Sequence, residues 1–80
     1  SLYSKGLSAY KSKDYKTAIT YLTNATKADN TQVNAYYYLA RAYEDSKDTD
    51  NAVKIYNQII KKFPSTRSAS TAKQKVSQLQ

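Results

Sequence analysis

The chain has no cysteine, so no disulfide framework holds it and its redox compartment is left open. It has no histidine either. Together these absences remove Ser-His-Asp and Cys-His nucleophile systems and most zinc sites. A single glycine cannot build a phosphate-cradling loop. One glycine and one proline in 80 residues also argue against a β-rich fold, which needs many turns. No apolar run approaches the roughly 20 residues of a membrane span. Acid is missing from the last third: residues 51–80 hold Lys54, Lys61, Lys62, Arg67, Lys73 and Lys75 and no Asp or Glu.

What is present is an ordinary share of apolar residues, 40%, enough for one small domain with a thin core. The net charge of +7 is uneven. Residues 1–30 contribute +3, residues 31–50 contribute −2 and residues 51–80 contribute +6. A basic end favours acidic partners, although a solvated lysine face is the plainer reading.

Two stretches dominate the patterning. Tyr36, Leu39, Ala40 and Tyr43 recur at i, i+3, i+4 and i+7, one apolar stripe of a helix. Ala52, Val53, Tyr56, Ile59 and Ile60 repeat that spacing after the polar run 44–50. Two amphipathic helices about a short turn make an αα-hairpin, closed by Pro64. Shifting the sequence by 34 residues aligns the chain with itself without a gap. Asp14 falls on Asp48, Ala18 on Ala52, Ile19 on Val53, Leu22 on Tyr56 and Ala25 on Ile59. Leu2 falls on Tyr36, Gly6 on Ala40 and Asn30 on Pro64. The register predicts five helices, at about Leu2–Ser12, Tyr15–Ala28, Gln32–Asp45, Thr49–Phe63 and Thr66–Leu79. Asp14, Asp48 and Ser65 are the expected caps of the second, fourth and fifth.

With those positions the chain resembles the tetratricopeptide repeat (TPR) family, whose unit is two antiparallel helices in 34 residues. Residues 33–66 match through Tyr36, Leu39, Ala40, Tyr43, Ala52, Tyr56 and Pro64. Residues 1–32 match through Gly6, Tyr15, Ala18 and Ala25, and depart at Lys5, Ala9 and Asn30. The resemblance implies an all-α, right-handed solenoid fragment: two helix-turn-helix units, 1–32 and 33–66, and a C-terminal capping helix over 66–79. In that last helix Ala69, Ala72, Val76 and Leu79 form one stripe. Ser70, Lys73, Gln74 and Ser77 form a polar outer face of the kind terminal repeats carry. The polar edge Ser1, Ser4 and Ser8 makes a tightly stacked repeat upstream unexpected. The run Ile60-Lys61-Lys62-Phe63-Pro64-Ser65 looks most like bacterial TPR proteins of the cell envelope. Scarce Glu and abundant Ser, Thr, Asn and Lys lean toward a bacterial surface or extracytoplasmic location rather than the cytoplasm. A start at Ser1 without Met reads as part of a longer or processed chain.

The motifs that imitate chemistry are weaker than their structural explanations. Tyr43 and Lys47 have reductase-like Tyr-x-x-x-Lys spacing, but Tyr43 is a repeat core position. Glu44, Asp45, Asp48 and Asp50 fall short of a calcium loop, which needs a glycine after the third ligand. Asn24-Ala25-Thr26 is a glycosylation sequon placed mid-helix. No catalytic residue, cofactor or metal is therefore expected.

The nine tyrosines are the informative feature. In the family the first helix of each unit lines a concave groove. Carried over by register, the partner-binding residues are Tyr3, Leu7, Tyr10 and Lys11, then Asn34, Tyr37, Arg41, Glu44 and Asp45, with Tyr38 on the flank. Exposed tyrosine and arginine are common binding anchors, while seam filling is the alternative. The carboxylate clamp of some relatives is absent, because its positions hold Tyr3, Leu7, Tyr38 and Ser68. The expected function is a non-enzymatic module binding a peptide or helix in a tyrosine-lined groove. Two alternatives are polyanion binding (nucleic acid or an anionic envelope polymer) through the basic C-terminal third, with nucleic acid less favoured than protein, and a spacer or oligomerisation unit of a longer protein.

Overall fold

The computed structural model describes residues 1–80 and contains five helices and no strand. They are α1 (Leu2–Lys11), α2 (Tyr15–Ala28), α3 (Val33–Asp45), α4 (Thr49–Lys62) and α5 (Arg67–Leu79). Consecutive helices pack against one another, as short connections demand. No helix is long and apolar enough to cross a membrane.

The hairpin turns are the same structure twice. At the end of α1 the Lys13 N–H donates to the Tyr10 carbonyl and the Asp14 N–H to the Ala9 carbonyl, both at 2.9 Å. Thirty-four residues on, Lys47 donates to Glu44 at 3.0 Å and Asp48 to Tyr43 at 2.9 Å. This pair of bonds is the Schellman closure, which needs a left-handed residue. Lys13 and Lys47 supply it, with φ of 65° and 70°. The next residue then starts a new helix: the Asp14 and Asp48 carboxylates accept the Thr17 and Asn51 N–H groups. One aspartate thus ends one helix and caps the next, so each turn needs only three residues.

The other expected ends shift slightly. Ser12, Gln32 and Phe63 fall outside the helices as flanking caps. Thr66, not Ser65, caps α5: its hydroxyl accepts the Ala69 N–H at 3.1 Å and donates to the Phe63 carbonyl at 2.7 Å. Pro64 and Ser65 together form a turn, which moves the helix start past Ser65.

Small side chains decide the packing. Ala18, Ala40, Ala42 and Ala52 have no exposure at all. Ala18, Leu22, Leu39 and Ala42 form the core between α2 and α3. Tyr36, Ala40, Ala52, Tyr56, Ile59, Ala69 and Ala72 form the core of α3, α4 and α5. Ile55 and Tyr43 border both clusters and join them. Tyr43, expected inside, is half-buried because it sits on this seam. On α5, Val76 and Leu79 pack against the second cluster, and Ser70, Lys73, Gln74 and Ser77 are exposed.

Candidate functional site

The central helix α3 carries three consecutive tyrosines, and the 3.6-residue turn divides them. Tyr36 goes into the core, where its ring meets Phe63 at 5.5 Å between centroids. Tyr37 and Tyr38 stay half-buried on the side shared with α1. There the rings form a connected row. Tyr38 lies 6.5 Å from Tyr3, 5.6 Å from Tyr10 and 5.3 Å from Tyr37. Tyr10 in turn meets Tyr15 of α2 at 5.8 Å. All four contacts are tilted or edge-on, the arrangement the ring quadrupole prefers. Tyr38 is therefore the hub of the row. Tyr15 extends the row by one ring.

Arg41 stands one turn beyond Tyr37. Its guanidinium lies 5.9 Å from the Tyr37 ring centroid, and Nη1 donates to the Tyr37 hydroxyl at 3.1 Å. The Nε is buried without a partner. Burial works against the charge, but the Tyr37 bond and the neighbouring Tyr10, Tyr37 and Asp45 outweigh it, so Arg41 stays ionised. A guanidinium has five N–H donors, and only one is used within the chain.

The two acids ending α3 face opposite neighbours. Asp45 accepts the Tyr10 hydroxyl of α1 at 2.6 Å. Glu44 accepts the Tyr56 hydroxyl of α4 at 2.6 Å and Lys75 Nζ of α5 at 3.2 Å. Burial, then these carboxylates, push both tyrosines well above the usual phenol range. Burial and then Tyr38 raise Tyr3 in the same direction. The acids expected among groove residues thus tie α3 to three helices.

The remaining candidates differ in setting. Leu7 is half-buried, while Lys11 and Asn34 are exposed on the same two helices. Tyr56 and Lys75 were not among the candidates. Their only sequence signal was that a buried tyrosine hydroxyl needs an acceptor.

Charge is sorted as well. Asp14 and Asp48 cap helices, Asp29 accepts both the N–H and the hydroxyl of Thr31, and Glu44 and Asp45 hold tyrosines. Among the 13 lysines and arginines only Lys75 forms an ion pair. Five of the six acids are thus engaged within the chain, and the cations other than Arg41 and Lys75 are exposed.

Compared with known proteins, residues 9–76 match a family model described as tetratricopeptide repeat. No curated protein and no solved structure matches the chain.

Proposed function

The chain belongs to the tetratricopeptide repeat family, and on that footing we propose that it is a protein-binding module whose site is the tyrosine groove of α1 and α3. Repeats of this family mediate protein–protein interaction and are not catalytic. In this reading 1–32 and 33–66 are the two units and 66–79 is the capping helix. The partner is a peptide or helical segment laid along Tyr3, Leu7, Tyr10, Lys11, Asn34, Tyr37, Tyr38, Arg41 and Glu44.

The observation that carries the reading is the connected row of rings ending in a half-used guanidinium. Tyr3, Tyr10, Tyr37 and Tyr38 are each partly exposed, so each ring leaves an edge for a partner to cover. Partly exposed tyrosines offer large apolar area at little entropic cost, with a hydroxyl rim. Arg41 offers its free N–H groups to a carbonyl or carboxylate. The test is selection of a random dodecapeptide library on the wild-type chain, followed by titrations with Tyr37→Ala and Arg41→Ala. Each substitution is expected to weaken the selected peptides by about 1 kcal/mol or more. Peptides that bind both variants as well as wild type would move the site elsewhere.

A second reading has one observation in its favour: the unpaired cations of the last third, with Lys54, Lys61, Lys62, Arg67 and Lys73 all exposed. A polyanion would dock there, and its affinity would fall steeply with added salt. A heparin column eluted by a salt gradient separates this reading from the groove.

A further inference from the structure

Arg41 has two acids within reach on its own helix. Glu44 and Asp45 stand three and four residues after it, the spacing at which opposite charges meet along a helix surface. Neither ion pair forms: the chain's one salt bridge joins Glu44 to Lys75. Each acid is taken instead by a neighbouring helix. Tyr10 of α1 donates to Asp45 at 2.6 Å, and Tyr56 of α4 donates to Glu44 at 2.6 Å. Arg41 is left half-buried, with the Tyr37 hydroxyl as its one acceptor. Its Nε is enclosed without a partner, while Nη2 is unbonded and open to solvent.

We infer that Arg41 is kept free for a side-chain carboxylate, Asp or Glu, of the segment bound in the groove. Tyr10 is the positioning residue that holds Asp45 off it, as Tyr56 and Lys75 hold Glu44. The inference rests on the groove reading and adds the chemistry of the partner. A partner that covers Arg41 strips water from a guanidinium that has no counter-ion of its own. A backbone carbonyl would leave that charge unpaired in a dry site, which is costly. A carboxylate neutralises it and takes the free N–H groups. A side chain supplies the carboxylate, because the positions that clamp a terminal one in some relatives hold Tyr3, Leu7, Tyr38 and Ser68 here. Asp45 has no cation paired with it, so once released it would compete for Arg41 and repel an incoming acid. The net charge of +7 attracts the same kind of partner from a distance.

The test uses the full 80-residue chain and dodecapeptides selected on it, synthesised as C-terminal amides and titrated by calorimetry. The selected peptides are expected to share an Asp or Glu. Its replacement by Asn or Gln weakens binding to wild type about tenfold or more and leaves binding to Arg41→Gln unchanged. Tyr10→Phe keeps the ring and releases Asp45, so affinity falls roughly two- to fivefold, the weight of an exposed ion pair. Asp45→Asn still accepts the Tyr10 hydroxyl but carries no charge, and it binds the peptides at least as tightly as wild type. In that background Tyr10→Phe has no effect. Lys75→Met weakens binding in the same way, and Glu44→Gln cancels the loss. In the free chain the Arg41 Nε–H resonance moves in Tyr10→Phe and returns when Asp45→Asn is added. Peptides that lose affinity for Tyr37→Ala but carry no acid, or whose acid matters as much to Arg41→Gln as to wild type, overturn the carboxylate and leave the groove. A Tyr10→Phe loss that persists beside Asp45→Asn shows the hydroxyl touching the partner itself and overturns the positioning role. Peptides indifferent to both Tyr37→Ala and Arg41→Ala overturn the groove reading and this inference with it.

Discussion

Gly6 offers the sharpest test of the packing. It is buried in α1, and a Cβ built on it would lie 2.6 Å from Leu22 Cγ and 2.7 Å from Cδ2. Leu22 is fully buried, so it cannot swing into open space. Two opposing terms set the outcome of Gly6→Ala. Helix propensity favours alanine over glycine by about 1 kcal/mol. Overpacking a filled core costs roughly 1–3 kcal/mol. The expected net is a loss of about 1 kcal/mol, or a melting point lower by roughly 4–8 °C for a domain of this size. The control is a cycle with Leu22→Ala, which alone costs roughly 2–5 kcal/mol. In that background the added methyl no longer meets Cγ and Cδ2, and only a close backbone contact, 3.3 Å to the residue 22 nitrogen, opposes the propensity term. Gly6→Ala should then stabilise by up to about 1 kcal/mol. The coupling, about 2 kcal/mol, exceeds the scatter of independent sites, about 0.3–0.5 kcal/mol. Urea melts followed by far-UV circular dichroism measure all four proteins, with TMAO added throughout if Leu22→Ala is too weak. The reasoning fails if Gly6→Ala stabilises both backgrounds equally, because the close approach would then cost nothing.

Further outcomes are expected elsewhere. Lys13→Gly and Lys47→Gly relieve a left-handed residue worth roughly 1–2 kcal/mol, less up to about 1 kcal/mol of added unfolded-chain freedom; a gain of about 0.5 kcal/mol each should appear in denaturant melts. Tyr56→Phe leaves Glu44 without its buried donor and should cost about 1–3 kcal/mol, while keeping the helical spectrum. Stability should fall as pH rises above about 10, the ordinary tyrosine value: the unfolded chain loses protons there that folded Tyr10 and Tyr56 keep, so the unfolded state binds fewer protons and is favoured. Tyr10→Phe should make that alkaline decline shallower, read from melting points across pH 9–11. Tyr37→Ala should weaken peptide binding by about 1 kcal/mol or more at a small cost in stability, since Tyr37 also touches the core from outside.

The register made most of the fold legible. Ala18 falls on Ala52 in the 34-residue register, and both have no exposure. Five helices were expected and five are present, because apolar spacing marks each of them and an aspartate caps the second and the fourth. The tyrosine row was legible only in part. Periodicity separates Tyr36 from Tyr37 and Tyr38, but it does not say which ring another helix leans on. That depends on how α1 crosses α3. The polar bonds between distant helices were illegible for the same reason: Tyr10 and Asp45 stand 35 residues apart, and Glu44 and Lys75 stand 31 apart. Tyr43 misled because its stripe position promised full burial, whereas the seam between the two cores leaves one edge open. Removing it should therefore cost less than the roughly 3–5 kcal/mol of a fully buried aromatic.

The paired turns have a consequence for how such a chain can be lengthened or shortened. Asp14 and Asp48 make the same backbone bonds, and each belongs to the helix before it and the helix after it. A splice at these two residues changes no turn. Deleting residues 15–48 would join α1 to α4 through a turn already used, leaving one hairpin and α5. Duplicating the same 34 residues would add a tier with both joints intact. The surface that α1 and α3 now present would gain the ring set of a second α3. Reach along a bound segment is in this sense a modular quantity, set by counting aspartate joints.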